Sequence, residues 1–196
     1  MIYFTSDLHF CHNKDFCYLV RQCNDVEEMN EKIRENINKT VTEDDTLYIL
    51  GDVYLSSDEG IEWFKKINCN DIRLIIGNHD TDNKLNNLMA TGKIASCVYA
   101  DIIKWGKYRF YLSHYPSLTG NEEKHLSTCL INLFGHTHQL NKFFQGQDGF
   151  NIPWMYNVGV DANDCTPVSI EEIIERCKIE FNIYITRKNI SEEEMK

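Results

Sequence analysis

No stretch of this chain stays apolar for the roughly 20 residues that a membrane-spanning helix requires, so a helical membrane protein is not expected. The first residues lack the basic segment and apolar core of a secretory leader, and the expected location is the cytoplasm. There is no Cys-x-x-Cys pair, so the eight cysteines (11, 17, 23, 69, 97, 129, 165 and 177) form neither a zinc-knuckle nor a redox pattern. We read them as reduced, with Cys97 and Cys129 as small buried hydrophobes in apolar stretches. Positive charge is scarce: 20 Lys and Arg face 30 Asp and Glu, a net charge of −10. That balance repels polyanions, so long nucleic acid is not an expected partner. A small anionic substrate remains compatible wherever local cations outweigh the surface field. Repeats, low-complexity tracts and linkers are also missing, and the three prolines and ten glycines sit mostly at turns. The 196 residues therefore read as one domain over 1–186, large enough for a continuous core, followed by a polar tail over 187–196 that should fray.

What the chain does contain is five short clusters of Asp, His and Asn. They are Asp7-Leu8-His9, Gly51-Asp52, Gly77-Asn78-His79-Asp80, Ser113-His114-Tyr115 and Gly135-His136-Thr137-His138. Each directly follows a short apolar run of the buried-strand kind, at 1–4, 47–50, 72–76, 110–112 and 130–134. Strand ends are where layered α/β folds bind ligands. So many oxygen and imidazole donors converging there point to a metal site.

The remaining pattern fills in the elements. Val26, Met29, Ile33 and Ile37 fall at helical spacing and predict an amphipathic helix over about 25–39, with Asn24 as N-cap and Glu27 three residues on. Helices are expected near 58–67, with Ile61, Phe64 and Ile67 inward, and near 82–91. Strands are expected near 45–50 and 71–76, then a hairpin of 96–104 and 107–113 turning at Gly106. Residues 139–152 read as a loop or irregular hairpin, 155–160 as a strand, and Ser169 as the cap of a helix through about Cys177. Strands alternating with helices early and hairpins later fit two packed sheets flanked by helices.

The five clusters, in this order, resemble the motif set of the calcineurin-like metallophosphoesterases: D-x-H, G-D, G-N-H-[DE], H and G-H-x-H. The resemblance covers about the first 165 residues, including Asn157-Val158-Gly159-Val160-Asp161, and is nearest to the small single-domain bacterial and phage-type members. It implies an α/β fold, a four-layer α-β-β-α sandwich of two mixed sheets flanked by helices. It also implies two divalent transition-metal ions, Mn first, with Fe, Co, Ni or Zn as alternatives. One ion would be held by Asp7, His9 and His138, the other by Asn78, His114 and His136, with Asp52 bridging. Two such cations exceed the charge of the two ligating carboxylates, leaving positive charge for a hydroxide between the metals and a phosphoryl group. By the same resemblance His79 would assist the leaving group, and Asp80 would orient that imidazole, or else cap a turn. His12 and Asn13 would contact the phosphate, although Cys11 stands where family members more often carry Gly. Asp161 and Asn163 either border the pocket or form a turn.

The implied activity is hydrolysis of a small phosphate ester, with a diester as the leading reading; a phosphomonoesterase would use the same ligands. A Ser/Thr protein phosphatase is disfavoured, because Gly51-Asp52-Val53-Tyr54-Leu55 is not followed by the Asp-Arg-Gly of that branch. A non-catalytic binding scaffold of the same fold is the alternative from another class, and the presence of His79 counts against it.

Overall fold

The fold follows from where the apolar runs can be buried. In a computed structural model describing residues 1–55, 57–119 and 125–194, they form two five-stranded mixed sheets. In the first sheet β1 (Ile2–Thr5), β2 (Thr46–Ile49), β3 (Asp71–Ile75) and β4 (Ile94–Val98) run parallel, and β10 (Val168–Ser169) pairs antiparallel with β1. In the second, β6 (Tyr108–Ser113), β7 (Leu130–Phe134) and β9 (Asn151–Asn157) run parallel, with β5 (Ala100–Trp105) and β8 (Phe143–Gln145) antiparallel at the edges.

Alternation along the strands divides the core. Leu47 and Ile49 of β2, with Ile72 and Leu74 of β3, pack in one cluster with α2 (Val26–Thr40), α3 (Ser57–Lys65) and α4 (Asp82–Ala90), through Met29, Ile33, Ile37, Phe64 and Leu88. Tyr48 and Leu50 belong instead to a second cluster that joins Phe110, Leu112 and Tyr156 of the other sheet to α5 (Ile170–Glu194). The layers are therefore helices, sheet, sheet and helix, the architecture implied by the resemblance.

Register then aligns the exits. Thr5 pairs with Ile49 and Ile49 with Leu74 in the first sheet, while Leu112 pairs with Leu133 and Phe134 with Asn157 in the second. An isolated parallel bridge between Ser6 and Gly159 joins the two sheets where β1 and β9 end. All five Asp/His/Asn clusters leave their strands at this seam.

Several elements differ from expectation. The strand expected over 96–104 is two strands in different sheets; the chain crosses between them at Tyr99, which is 78% exposed. The 139–152 segment contains β8 and opens β9, and Phe143 lies buried against Tyr156 with ring centroids 5.2 Å apart. The N-cap of α2 is Asp25 rather than Asn24: Asp25 accepts from the Glu28 N–H at 2.8 Å, and the Glu28 carboxylate accepts from the Asn24 N–H at 2.7 Å. The Ser169 hydroxyl does accept from the Glu172 N–H, at 3.2 Å, but α5 runs on to Glu194. Trp154 draws α5 onto the sheet through Phe181 and Tyr184, and the Arg187 guanidinium lies 3.9 Å over the Phe150 ring. Residues 187–194 of the expected tail are thus helical; 195 and 196 lie outside the described residues. Among the described residues no helix is long and apolar enough to cross a membrane, and all eight cysteines are free.

Candidate metal centre

Five of the donor residues occupy left-handed backbone: Asp7 (φ 58°), His9 (48°), Asp52 (56°), His136 (66°) and His138 (51°). Such a conformation costs a non-glycine residue about 1 to 3 kcal/mol and persists only where its surroundings impose it. Here the Asp7 N–H donates to Gly51 O at 3.0 Å, the His9 N–H to Asp52 O at 3.0 Å, and the His136 N–H to Asp7 Oδ2 at 2.9 Å. The turns interlock because two glycines leave room for them. A Cβ on Gly135 would collide with the Ser6 hydroxyl and the Asp7 carboxylate, and one on Gly77 with the Asp52 carboxylate.

The side chains form two groups around one carboxylate. His9 Nε2 lies 3.6 Å from Asp52 Oδ2, 4.0 Å from Asp7 Oδ1 and 3.2 Å from His138 Nε2. His114 Nε2 lies 3.5 Å from Asp52 Oδ2, 2.9 Å from Asn78 Oδ1 and 3.2 Å from His136 Nδ1. All seven expected ligands are therefore brought together.

Their hydrogen bonds show what the space between them accepts. His114 Nδ1 lies 2.8 Å from the Leu50 carbonyl, so it carries the proton and its Nε2 presents a bare lone pair. That lone pair faces two further acceptors, Asn78 Oδ1 and Asp52 Oδ2. His138 Nδ1 likewise lies 2.7 Å from Asp161 Oδ2, which assigns the Nδ1 proton to that carboxylate and turns Nε2 toward His9. Asp7 Oδ1 is buried without any hydrogen-bond partner. The lone pairs of Asp7 Oδ1, Asp52 Oδ2, Asn78 Oδ1 and His114 Nε2 converge in a way that fits a cation, and the donor atoms of Asp7, His9 and His138, and of Asp7, Asp52 and His114, each lie within 4.8 Å of one another.

Ionisation agrees. Burial, reinforced by the neighbouring His138 and Arg21, holds His9 down at about 2, and burial with His114 lowers His136. Both are thus neutral imidazoles, the ligating form. Burial pushes the Asp7 carboxyl up against the opposing pull of His138 and His114, a penalty that a cation would relieve. The hydrogen bond to Asp161 raises His138, against its burial. Burial alone would raise Asp161, but the hydrogen bond from His138 and the Arg21 guanidinium outweigh it and hold that carboxyl at about 2.

The neighbours of the ligand set are placed unevenly. His79 stands at the exposed mouth, with its ring centroid 5.5 Å from that of His9 and its backbone N–H donating to Asp52 Oδ1 at 2.8 Å. Asp80 does not orient that imidazole. Its carboxylate accepts backbone N–H groups from Asp52 (2.8 Å), Gly77 (2.9 Å) and Val53 (3.1 Å), so it acts as the turn cap. The His12 ring lies 5.5 Å from that of His9, and Asn13 follows it, exposed, before the short helix α1 (Asp15–Tyr18). Cys11 has φ 63°, which explains why Gly suits that position, and Asn30 holds it by accepting from its N–H at 3.0 Å. Asp161 is a partner of His138, whereas Asn163 braces the turn by donating to the carbonyls of Asn157 and Gly159 at 2.9 and 3.0 Å. Arg21, which no motif marks, lies buried behind the site with its Nε 2.8 Å from Asp161 Oδ1.

Comparison with known proteins points the same way. A family model described as the calcineurin-like phosphoesterase superfamily domain matches residues 1–161. An uncharacterized protein of Methanocaldococcus jannaschii is 28% identical over 178 residues, covering 89% of each chain. The gene 66 protein of Mycobacterium phage L5 is 29% identical over 162 residues, covering 69% of this chain and 76% of that one. Among solved structures, a protein of unknown function from Aquifex aeolicus superposes with a TM-score of 0.64 at 25% identity, over 89% of this chain and 98% of its own. The match takes in every donor cluster described above, and the chain belongs to the calcineurin-like phosphoesterase superfamily, with the general activity of a metal-dependent phosphoesterase.

Proposed function

We propose that the chain hydrolyses a small phosphodiester with two divalent transition-metal ions, one held by Asp7, His9 and His138, the other by Asn78, His114 and His136, with Asp52 shared. The observation that carries this reading is the position of Asp52 Oδ2, 3.6 Å from His9 Nε2 and 3.5 Å from His114 Nε2, between two sets of lone pairs. When bound, such ions supply Lewis acidity to the phosphoryl oxygens and lower the pKa of water. Mixed nitrogen and oxygen donors favour Mn, Fe, Co, Ni or Zn over Mg alone, and we take Mn as the first candidate.

The protein's own part is positioning and proton transfer. Asp52 directs one oxygen between the two groups and accepts the His79 N–H with the other, so the His79 imidazole stands beside the ligand set. From the mouth it can deliver a proton to the departing oxygen. His12 lies beside His9, and we take it together with the following Asn13 as the residues that would meet the substrate. The diester preference is supported by the cations next to the site. Arg21 is bound to Asp161, and the Lys84 ammonium donates to the carbonyls of Tyr54 and His79, both at 2.9 Å. Arg21 is thus neutralised by its carboxylate partner and Lys84 aims its donors at protein carbonyls rather than at a second anionic oxygen, an arrangement that suits a singly charged diester better than a doubly charged monoester.

The test is metal content together with paired hydrolysis of bis-p-nitrophenyl phosphate and p-nitrophenyl phosphate. We expect two ions per chain, activity abolished by chelator and restored by Mn, and a clear excess of the diester rate. Content that stays at one ion rejects the two-ion site, and a faster monoester rate rejects the diester preference.

A further inference from the structure

Arg21 touches both the loop that carries Asp7 and His9 and the side chain behind His138. Its Nη1 donates to Leu8 O and its Nη2 to Asp7 O, each at 2.9 Å, while Nε and Nη2 reach Asp161 Oδ1 and Oδ2 at 2.8 and 3.4 Å. Asp161 Oδ2 in turn accepts from His138 Nδ1 at 2.7 Å. Arg21 is 3% exposed, and Lys32 fixes its backbone by donating to Arg21 O at 2.6 Å.

This contact set needs a rigid fork. The left-handed turn at Asp7 leaves two buried carbonyls to be satisfied, and Asp161 lies on a separate 3₁₀ turn after β9 (Val160–Asn163). A planar guanidinium with five donors spans all three partners, whereas a lysine ammonium presents its donors from one point. The consequence for His138 is chemical: with Nδ1–H held by a carboxylate, only Nε2 is free to bind a cation. His114, in the other group, is oriented instead by the Leu50 carbonyl.

We propose that Arg21 is a positioning residue for the metal position formed by Asp7, His9 and His138, acting through Asp161 and through the carbonyls of Asp7 and Leu8. The inference rests on the two-ion reading above.

The experiment measures stepwise Zn²⁺ affinities of the full chain by competition with a chromophoric chelator, for the wild type, Arg21→Lys, Asp161→Asn and the double variant. Thermal unfolding in chelator is recorded in parallel. One of the two ions should bind about 10- to 100-fold more weakly in each single variant, while the other keeps its affinity to within about threefold. The double variant should be little worse than the weaker single, because both changes cut one path. In zinc-loaded protein labelled with ¹⁵N-histidine, the His138 Nδ1–H proton should shift or vanish in Asp161→Asn. Unchanged affinities with a lowered melting temperature would make Arg21 purely structural and overturn the proposal, as would equal weakening of both ions. Were Arg21→Lys not to fold, Asp161→Asn decides through the same two readouts. A wild type that never takes up a second ion rejects the underlying reading, and is recognised without any substitution.

Discussion

His79 and Asp80 are adjacent in sequence yet serve different parts of the site. The His79 imidazole is exposed at the mouth, whereas the Asp80 carboxylate is buried and bonded to three backbone N–H groups. Substituting them should therefore fail in different ways. His79→Ala should keep the metal content of the wild type and lower kcat by about 10²- to 10⁴-fold, with the greater loss for esters whose leaving group needs a proton. Asp80→Asn should lower good and poor leaving groups alike and destabilise the fold by about 2 kcal/mol, since a charged acceptor of buried amides is lost. Steady-state rates over a leaving-group series, with denaturant unfolding, separate the two; equal losses across the series for His79→Ala would remove its acid role. The convergence of the candidate donors was legible in the sequence because few other chemistries gather Asp, Asn and His behind so many strands. The role of Asp80 was not, because a carboxylate next to a histidine reads the same whether it faces the ring or the backbone. Arg21 was illegible for a different reason: its partner Asp161 lies 140 positions away, and no periodicity marks either residue.

At the scale of elements, legibility followed the strength of the apolar pattern. The strands that deliver the site, β1, β2, β3, β6 and β7, are short apolar runs and fell close to their expected places. The split of residues 96–104 into β4 and β5 was hidden because the residues on either side of Tyr99 suit a strand equally well, and only tertiary pairing assigns them to different sheets. The distal half of α5 was hidden because polar residues dominate it, while a few rings, Phe181 and Tyr184 against Trp154, hold it. The cap of α2 was misplaced by one residue, since Asn24 and Asp25 are both competent caps and Glu27 and Glu28 both competent partners. That register is testable. Asp25→Ala should cost about 1 kcal/mol in urea unfolding, the usual cost of losing an N-cap acceptor. Asn24→Ala should cost clearly less, because its backbone N–H still reaches Glu28. A larger loss at Asn24 would restore the cap to that position.

At the scale of the whole molecule, the candidate metal centre is a property of how the two sheets meet. Asp7, His9, Asp52 and Asn78 leave the first sheet, His114, His136 and His138 leave the second, and the Ser6–Gly159 bridge sets their separation. In the unfolded chain these groups are strewn between residues 7 and 138 and have no common site. Cations should therefore bind the folded chain almost exclusively and stabilise it by mass action. An ion at one hundred times its dissociation constant adds about 2.7 kcal/mol. For a chain of this size that corresponds to a rise of about 5 to 10 °C in melting temperature. The sign is reinforced locally, because without a cation the fold carries a buried Asp7 oxygen with no partner and imidazole nitrogens 3.2 Å apart. Melting curves with excess Mn and with chelator should differ by at least that amount. Asp52→Ala should abolish much of the difference, since its carboxylate lies between both groups. A melting temperature indifferent to metal would mean that the sheets do not hold the donors in place, and the seam between them could not be the metal centre.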